Sequence, residues 1–128
     1  MYTFKKEERL CNKKLIDGLY HNGSSFLCYP FKVSWQFVDA NDTNSPAKIV
    51  FSVPKKRFKR AVDRNIVKRQ MREAYRLNKL KLLYNILEQN DLRIILSLGY
   101  VAKEIITADF AEKKMQKLLL QLSSEIVK

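Results

Sequence analysis

The sequence predicts an α+β sandwich, a sheet of about four strands with helices packed on it, in one domain spanning residues 1–128. Three observations predict it. The apolar spacing changes along the chain from helical to two and back again; the elements read α-β-β-α-β-α in order; and 46% of the 128 residues are hydrophobic, with no Gly/Pro-rich break to divide them. That is enough apolar material for one compact core.

Behind a basic opening segment that includes Lys5 and Lys6, Leu10, Leu15, Ile16, Leu19 and Tyr20 recur at spacings of three to five. The pattern stops at His21-Asn22-Gly23, which marks a first helix. From Tyr29 the period is two: Phe31, Val33, Trp35 and Phe37 alternate with Lys32, Ser34, Gln36 and Val38, a strand with one buried face. Phe31, Trp35 and Phe37 are read as core, because the helices supply many apolar partners. Asp39 to Pro46 is a loop of turn formers, and Lys48 to Val53 a second strand rich in β-branched residues, expected to pair with the first as a hairpin. A further short strand has room between Tyr29 and Val53. Pro54 ends the second strand, and the linker Lys55 to Arg60 leads into a long central helix, Ala61 to Asn78, with Asp63 in the first turn where the helix dipole favours an acid. Glu88 to Asp91 turns the chain into a strand, Leu92 to Gly99. Thr107 or Asp109 caps a last helix running to about Val127. Phe110, Met115, Leu118, Leu119 and Leu122 form its packing stripe; Leu120 lies off it, facing a cleft or a contact surface.

Charge decides the class of partner. The formal net charge is +12, and between Lys55 and Lys79 eleven Lys or Arg stand against only Asp63 and Glu73, so most of the excess lies in one short stretch. Clustering of this kind marks a footprint for a polyanion, with nucleic acid first among the candidates. The apolar runs are far too short to cross a bilayer. Cys11 and Cys28 lack metal-ligand spacing, and no secretory leader is expected in front of them, which points to a reduced cytoplasm.

On a wheel of about 100° per residue, Arg64, Asn65, Lys68, Arg69, Arg72, Arg76 and Lys79 share one arc of the central helix. Ile66, Val67, Met71, Ala74 and Leu77 fill the opposite arc. Like charges four apart, as in Arg64 with Lys68 and Lys68 with Arg72, each destabilise a helix by about 0.2–0.5 kcal/mol, so folding alone does not ask for them. A mixed-sign face would keep the protein in solution equally well. Arginine outnumbers lysine on this arc, which suits the planar acceptors of phosphate, and Asn65 adds a directional donor and acceptor. RNA and DNA both qualify.

Catalytic groups are missing. His21 is the only histidine, read as a capping or surface residue, and the acids Glu7, Glu8, Asp39, Asp42, Glu88 and Asp91 are scattered, so neither a paired-histidine nuclease nor a two-metal site is expected. The three glycines are ungrouped and form no phosphate-cradling loop. Cys11 and Cys28 are read as ordinary surface or core thiols.

The stretch SVPKKRFKRAVDRNIVKRQMREAYR resembles the signature of the protein subunit of bacterial ribonuclease P, R-N-x-x-K-R-x-x-R on a helix that follows a strand ending in S-x-x-K-K. The matching residues are Arg64, Asn65, Lys68, Arg69 and Arg72, preceded by Ser52, Lys55 and Lys56. Arg9-Leu10 and Gly23-Ser24-Ser25 resemble the family's R-L…G-x-S opening, so the likeness covers essentially the whole chain. It implies a left-handed βαβ crossover and a subunit that binds the catalytic RNA of ribonuclease P and the 5′ leader of precursor tRNA, while the RNA performs the cleavage with Mg²⁺. One protein per RNA, no protein-bound cofactor or metal, and no membrane are expected with it. Lys55, Lys56, Arg60, Arg64, Asn65, Lys68, Arg69, Arg72 and Arg76 are the expected RNA contacts. A cleft between the first helix, the sheet and the last helix is expected to take the leader, with Ile16, Tyr20, Lys32 and Ser34 in it. Family members often carry aromatics where this chain has Ile16 and Ser34, so Tyr20 is the one stacking candidate there; its other reading is a helix residue packed on the core. The charge pattern alone equally permits a ribosome-associated or general RNA-binding module.

Overall fold

The computed structural model describes residues 6–39 and 45–127; the expected loop residue Asp42, and Lys5 of the opening segment, lie outside them. A short 3-10 turn, Lys6–Glu8, precedes α1 (Lys13–Asn22), β1 (Ser24–Cys28), β2 (Phe31–Val38), β3 (Ala47–Ser52) and α2 (Ala61–Lys79). A π-helical turn, Leu80–Tyr84, runs on into α3 (Asn85–Gln89), followed by β4 (Arg93–Tyr100) and α4 (Ala108–Ile126).

The four strands form one sheet in the order β1-β2-β4-β3. The expected hairpin between β2 and β3 is therefore corrected: β4 lies between them, antiparallel to β2 and parallel to β3. Ile94 to Leu98 are buried on both faces of the sheet, and a strand with neither face exposed along this stretch belongs in the middle. The additional strand is β1, which precedes Tyr29 rather than following it. Its opening Ser24-Ser25 hides it from an apolar pattern, as befits an exposed edge.

The handedness of the β3-α2-β4 connection follows from hydrogen bonds. Ile94, whose side chain enters the main core, donates its N–H to Pro46 O (3.1 Å), while Ile49, on the same face, turns its C=O outward to the N–H of Leu10 (2.9 Å). In L-residues this places β3 to the right of β4 when both strands point up and α2 faces the viewer. The chain then crosses right to left in front of the sheet, a left-handed crossover against the usual preference.

The main core fills the space between one sheet face and the helices α2, α3 and α4. Phe31, Val33, Trp35, Ile49, Leu96 and Leu98 meet Val67, Met71, Tyr75, Leu83, Met115 and Leu118 there. The other face carries a smaller cluster, Leu10, Leu19 and Ile95 with Leu15, Ile16, Val38 and Val50 around it. Leu10 is not in the first helix as expected; Asn12 caps that helix by accepting from Leu15 N–H, and Leu10 plugs the sheet edge instead. Gly23 ends α1 where a Cβ would stand 2.5 Å from Leu19 O and 2.9 Å from Trp35 O, so no side chain fits.

The helix after Ala61 does not stop at Asn78. One extra residue per turn at Leu80–Tyr84 re-phases it so that Leu83, Tyr84 and Leu87 reach the core. Phe37, expected in the core, is 49% exposed, because β1 pairs no further than Trp35 and leaves it uncovered; its ring stands perpendicular to that of Trp35, with centroids 5.1 Å apart. Ile66 and Phe110, also expected to pack, are exposed too, and Leu120 is exposed as its position off the stripe suggested. Thr107, not Asp109, caps α4.

Candidate nucleic-acid interface

Two surfaces flank the crossover. The first is cationic. After β3 the chain turns at Pro54–Arg57, with Arg57 N–H donated to Pro54 O, and Phe58 is buried with its ring 5.8 Å from Tyr100. The Arg64 guanidinium reaches back from α2 and donates to Phe58 O (2.8 Å) and Lys59 O (2.9 Å). Arg64 thus fixes the basic turn onto the helix. Lys55, Lys56, Arg60, Arg69 and Arg72 are exposed and Lys68 half-buried, and among the described residues none of the six has an acidic partner. Asn65 is exposed beside them.

Two members of the expected arc behave differently. Arg76 is paired with Glu73 one turn away, a contact that holds the Glu73 carboxyl below its ordinary range. Lys79, read as part of the cationic arc, is 2% exposed and forms a buried ion pair with Glu8. Lys79 follows Met71 and Tyr75 at intervals of four, so it extends the buried stripe as readily as the charged one. The Tyr84 hydroxyl donates to the same Glu8 oxygen at 2.5 Å. Burial first, then the neighbouring Tyr75 and Glu8, push the Tyr84 phenol far above its ordinary range, so it remains a donor.

The second surface is a cleft of about 140 Å³ between α1 and the sheet. Register builds its floor: Ser34 stands opposite Ser97, and Lys32 and Ser52 flank Gly99 from either side. Tyr20 forms the wall. Tyr20 is 58% exposed, and its hydroxyl shares a hydrogen bond of 2.9 Å with Oγ of Ser97, a residue 3% exposed. The reading of Tyr20 as a packed core residue is thereby corrected. Tyr20, Lys32 and Ser34 come together as expected, but Ile16 does not join them: it packs half-buried on the small cluster of Leu10, Leu19 and Ile95. Nor does the last helix form a wall, since the buried side chains of α4 belong to the main core on the opposite sheet face. The third side is Pro54, Tyr100 and Val101.

Ser97 and Ser52 were not among the expected cleft residues. Alternation along Leu92 to Gly99 carries the signal for Ser97, the polar position on the face opposite Ile94, Leu96 and Leu98. Ser52 and Pro54 line the cleft and Lys55 and Lys56 open the cationic turn, so a single stretch of chain joins the two surfaces. Among the described residues no three of His, Cys, Asp and Glu converge to hold a metal ion, and no helix is long and apolar enough to cross a membrane.

An α+β protein with six cations that have no acidic partner among the described residues on one turn and helix, and a hydroxyl-floored cleft adjoining them, has the surface of a nucleic-acid-binding protein. Comparison with known proteins identifies which kind. The Ribonuclease P family model matches residues 4–123. The ribonuclease P protein component of Porphyromonas gingivalis is 34% identical over 125 residues, covering 98% of this chain and 90% of the relative. The solved RNase P protein from Thermotoga maritima superposes with a TM-score of 0.70 at 20% identity, over 89% of this chain and 96% of that one. The Staphylococcus aureus RNase P protein gives 0.67 at 20% identity, over 91% and 94%. The chain belongs to the ribonuclease P family: it is a protein component of that tRNA-processing ribonucleoprotein endonuclease, and its partner in the holoenzyme is RNA.

Proposed function

We propose that the turn Lys55–Arg60 and the outer face of α2 dock the catalytic RNA of ribonuclease P, and that the cleft beside Tyr20 receives the single-stranded 5′ leader of precursor tRNA. The observation that carries this reading is the run of cations without acidic partners, Lys55, Lys56, Arg60, Lys68, Arg69 and Arg72, continuous through Ser52 and Pro54 with the cleft. Lys68, Arg69 and Arg72 neutralise phosphates, Asn65 supplies a directional contact, Arg64 holds the turn in place, and Arg76 contributes from its pair with Glu73. In the cleft an unpaired leader base stacks on the Tyr20 ring while Lys32 meets its phosphate and the Ser34 hydroxyl its edge; Ile16 supports α1 from beneath. Cleavage belongs to the RNA and its Mg²⁺, a division supported by the lack of any acid-base pair or metal-ligating trio at either surface among the described residues. The two thiols, one exposed and one buried, are unpaired, which suits a reducing cytoplasm, and one protein serves one RNA.

Reconstitution tests the reading. Added to ribonuclease P RNA at low Mg²⁺, the protein should raise cleavage of precursor tRNA, and its benefit should grow when a leader long enough to reach the cleft is present. No gain from the leader would dismiss the cleft assignment, and no binding to the catalytic RNA would dismiss the docking face. Native mass measurement of the complex checks the one-to-one ratio.

A further inference from the structure

Helices α2 and α4 run side by side in the same direction, bridged by Gln70 Nε2, which donates to Ile106 O (2.9 Å), and by Gln116 Nε2, which donates to Asn78 Oδ1 (3.2 Å). Between the two bridges, from Gln70 to Asn78 or about 12 Å along α2, lies a groove of about 260 Å³. Its floor is apolar. Ala74 is buried there, Leu77 lies three positions on and therefore on the same face of α2, only half-buried, and exposed Ala108 stands opposite on α4. Charged groups enter from both walls, Arg69 and Glu73 from α2 and half-buried Glu112 from α4. Glu73 is taken by Arg76. Arg69 and Glu112 are paired neither with each other nor, among the described residues, with any other charge. Because Arg69 also belongs to the cationic face of α2, the groove opens directly beside that face.

A phosphate does not suit this groove, since two carboxylates repel it and the apolar floor gives it no partner. A flat, neutral group that bonds through its edges does, and beside a docked RNA that group is a nucleobase. Duplex bases have both faces covered by their neighbours, so the base is an unpaired one. The walls select which base. A carboxylate accepts two hydrogen bonds side by side, and a guanidinium donates two. Guanine alone among the four bases has both counterparts: adjacent N1–H and N2–H donors for Glu112, and adjacent O6 and N7 acceptors for Arg69. The guanidinium keeps further N–H donors for the adjoining phosphate. We infer that the groove between α2 and α4 takes up one unpaired guanine of the catalytic RNA, an inference that rests on the docking role proposed for α2.

Removal of Glu112 gives a test whose sign is informative. Taking a negative charge from a protein of net charge +12 strengthens its attraction for RNA if the carboxylate is merely solvated. Glu112→Ala should instead weaken binding to ribonuclease P RNA about tenfold. The salt slope should stay the same, because a base contact releases no counterion. Kethoxal, which modifies N1 and N2 of unpaired guanines, should lose one reactive site on the RNA when the protein binds, and Glu112→Ala should restore it. Ala108→Trp, at an exposed position, fills the groove from the α4 side without altering a charge and should restore the same site. If Glu112→Ala binds as tightly as before or more so and no guanine is protected, while Lys68→Ala and Arg72→Ala still weaken binding, the inference is wrong although the docking face stands. Protection confined to adenines or uracils, read with dimethyl sulfate and a carbodiimide, would overturn the choice of guanine equally. Should Lys68→Ala and Arg72→Ala also leave binding unchanged, the docking role itself fails.

Discussion

The cationic face of α2 and the cleft beneath α1 are assembled in opposite ways. The face is local: Lys68, Arg69 and Arg72 lie within five positions, and helical periodicity alone brings them to one side. The cleft draws Tyr20 from α1, Lys32 and Ser34 from β2, Ser52 from β3 and Ser97 and Gly99 from β4, and exists only because the sheet register sets these strands side by side. A binding face on one helix tolerates changes elsewhere in the fold, whereas a cleft floored by three strands depends on every register that supports it.

The contrast is tested most severely at Lys79, which shares a helix and a residue type with Lys68 but lies in the interior. Lys79→Ala should lower stability by about 3–5 kcal/mol, because it leaves the Glu8 carboxylate buried without its cation; Lys68→Ala should leave the urea midpoint unchanged. Equal midpoints for the two variants would contradict the buried pair. Next in size, the double variant Lys68→Ala with Arg72→Ala should weaken binding to ribonuclease P RNA about a hundredfold and lower the slope of log affinity against log salt by about 2, measured by filter binding across a salt series.

The cleft should respond more modestly and only when a leader is present. Tyr20→Ala should cost about 1–3 kcal/mol in affinity of the holoenzyme for leader-bearing precursor tRNA, with mature tRNA bound as before, since stacking on the ring is what is lost. The smallest effect should come from the hydrogen bond that orients the ring. Ser97→Ala and Tyr20→Phe should each cost about 0.5–1.5 kcal/mol in the same leader-dependent term. Because both remove one bond, the double variant should cost no more than either alone; full additivity would show that Ser97 does not position Tyr20.

Helices and the basic motif were legible in the sequence because their signals repeat within one turn or two. Arg64 to Arg72 declared a charged face without reference to any other part of the chain. Errors arose where a residue had two available environments. Lys79 satisfies the cationic spacing and the buried spacing together, and only the arrival of Glu8 from the far end of the chain decides between them. Phe37 continues the apolar alternation of β2, yet β1 ends too soon to cover it. Ile16 holds a place on the first helix that suits a cleft, but its side chain is taken up by Leu10 and Ile95.

By itself the sequence determined that the protein is a small α+β chain with an excess of cations clustered on one helix and the turn before it. Periodicity and charge are properties of neighbouring residues, so they survive without coordinates. Tertiary structure alone decided that β4 separates β2 from β3, that the crossover is left-handed, and that Tyr20 meets Ser97 across 77 positions of chain. The reason is physical: strand pairing and burial are choices among distant partners, settled by which arrangement covers the most apolar surface while leaving buried polar groups bonded, and no local pattern contains that comparison.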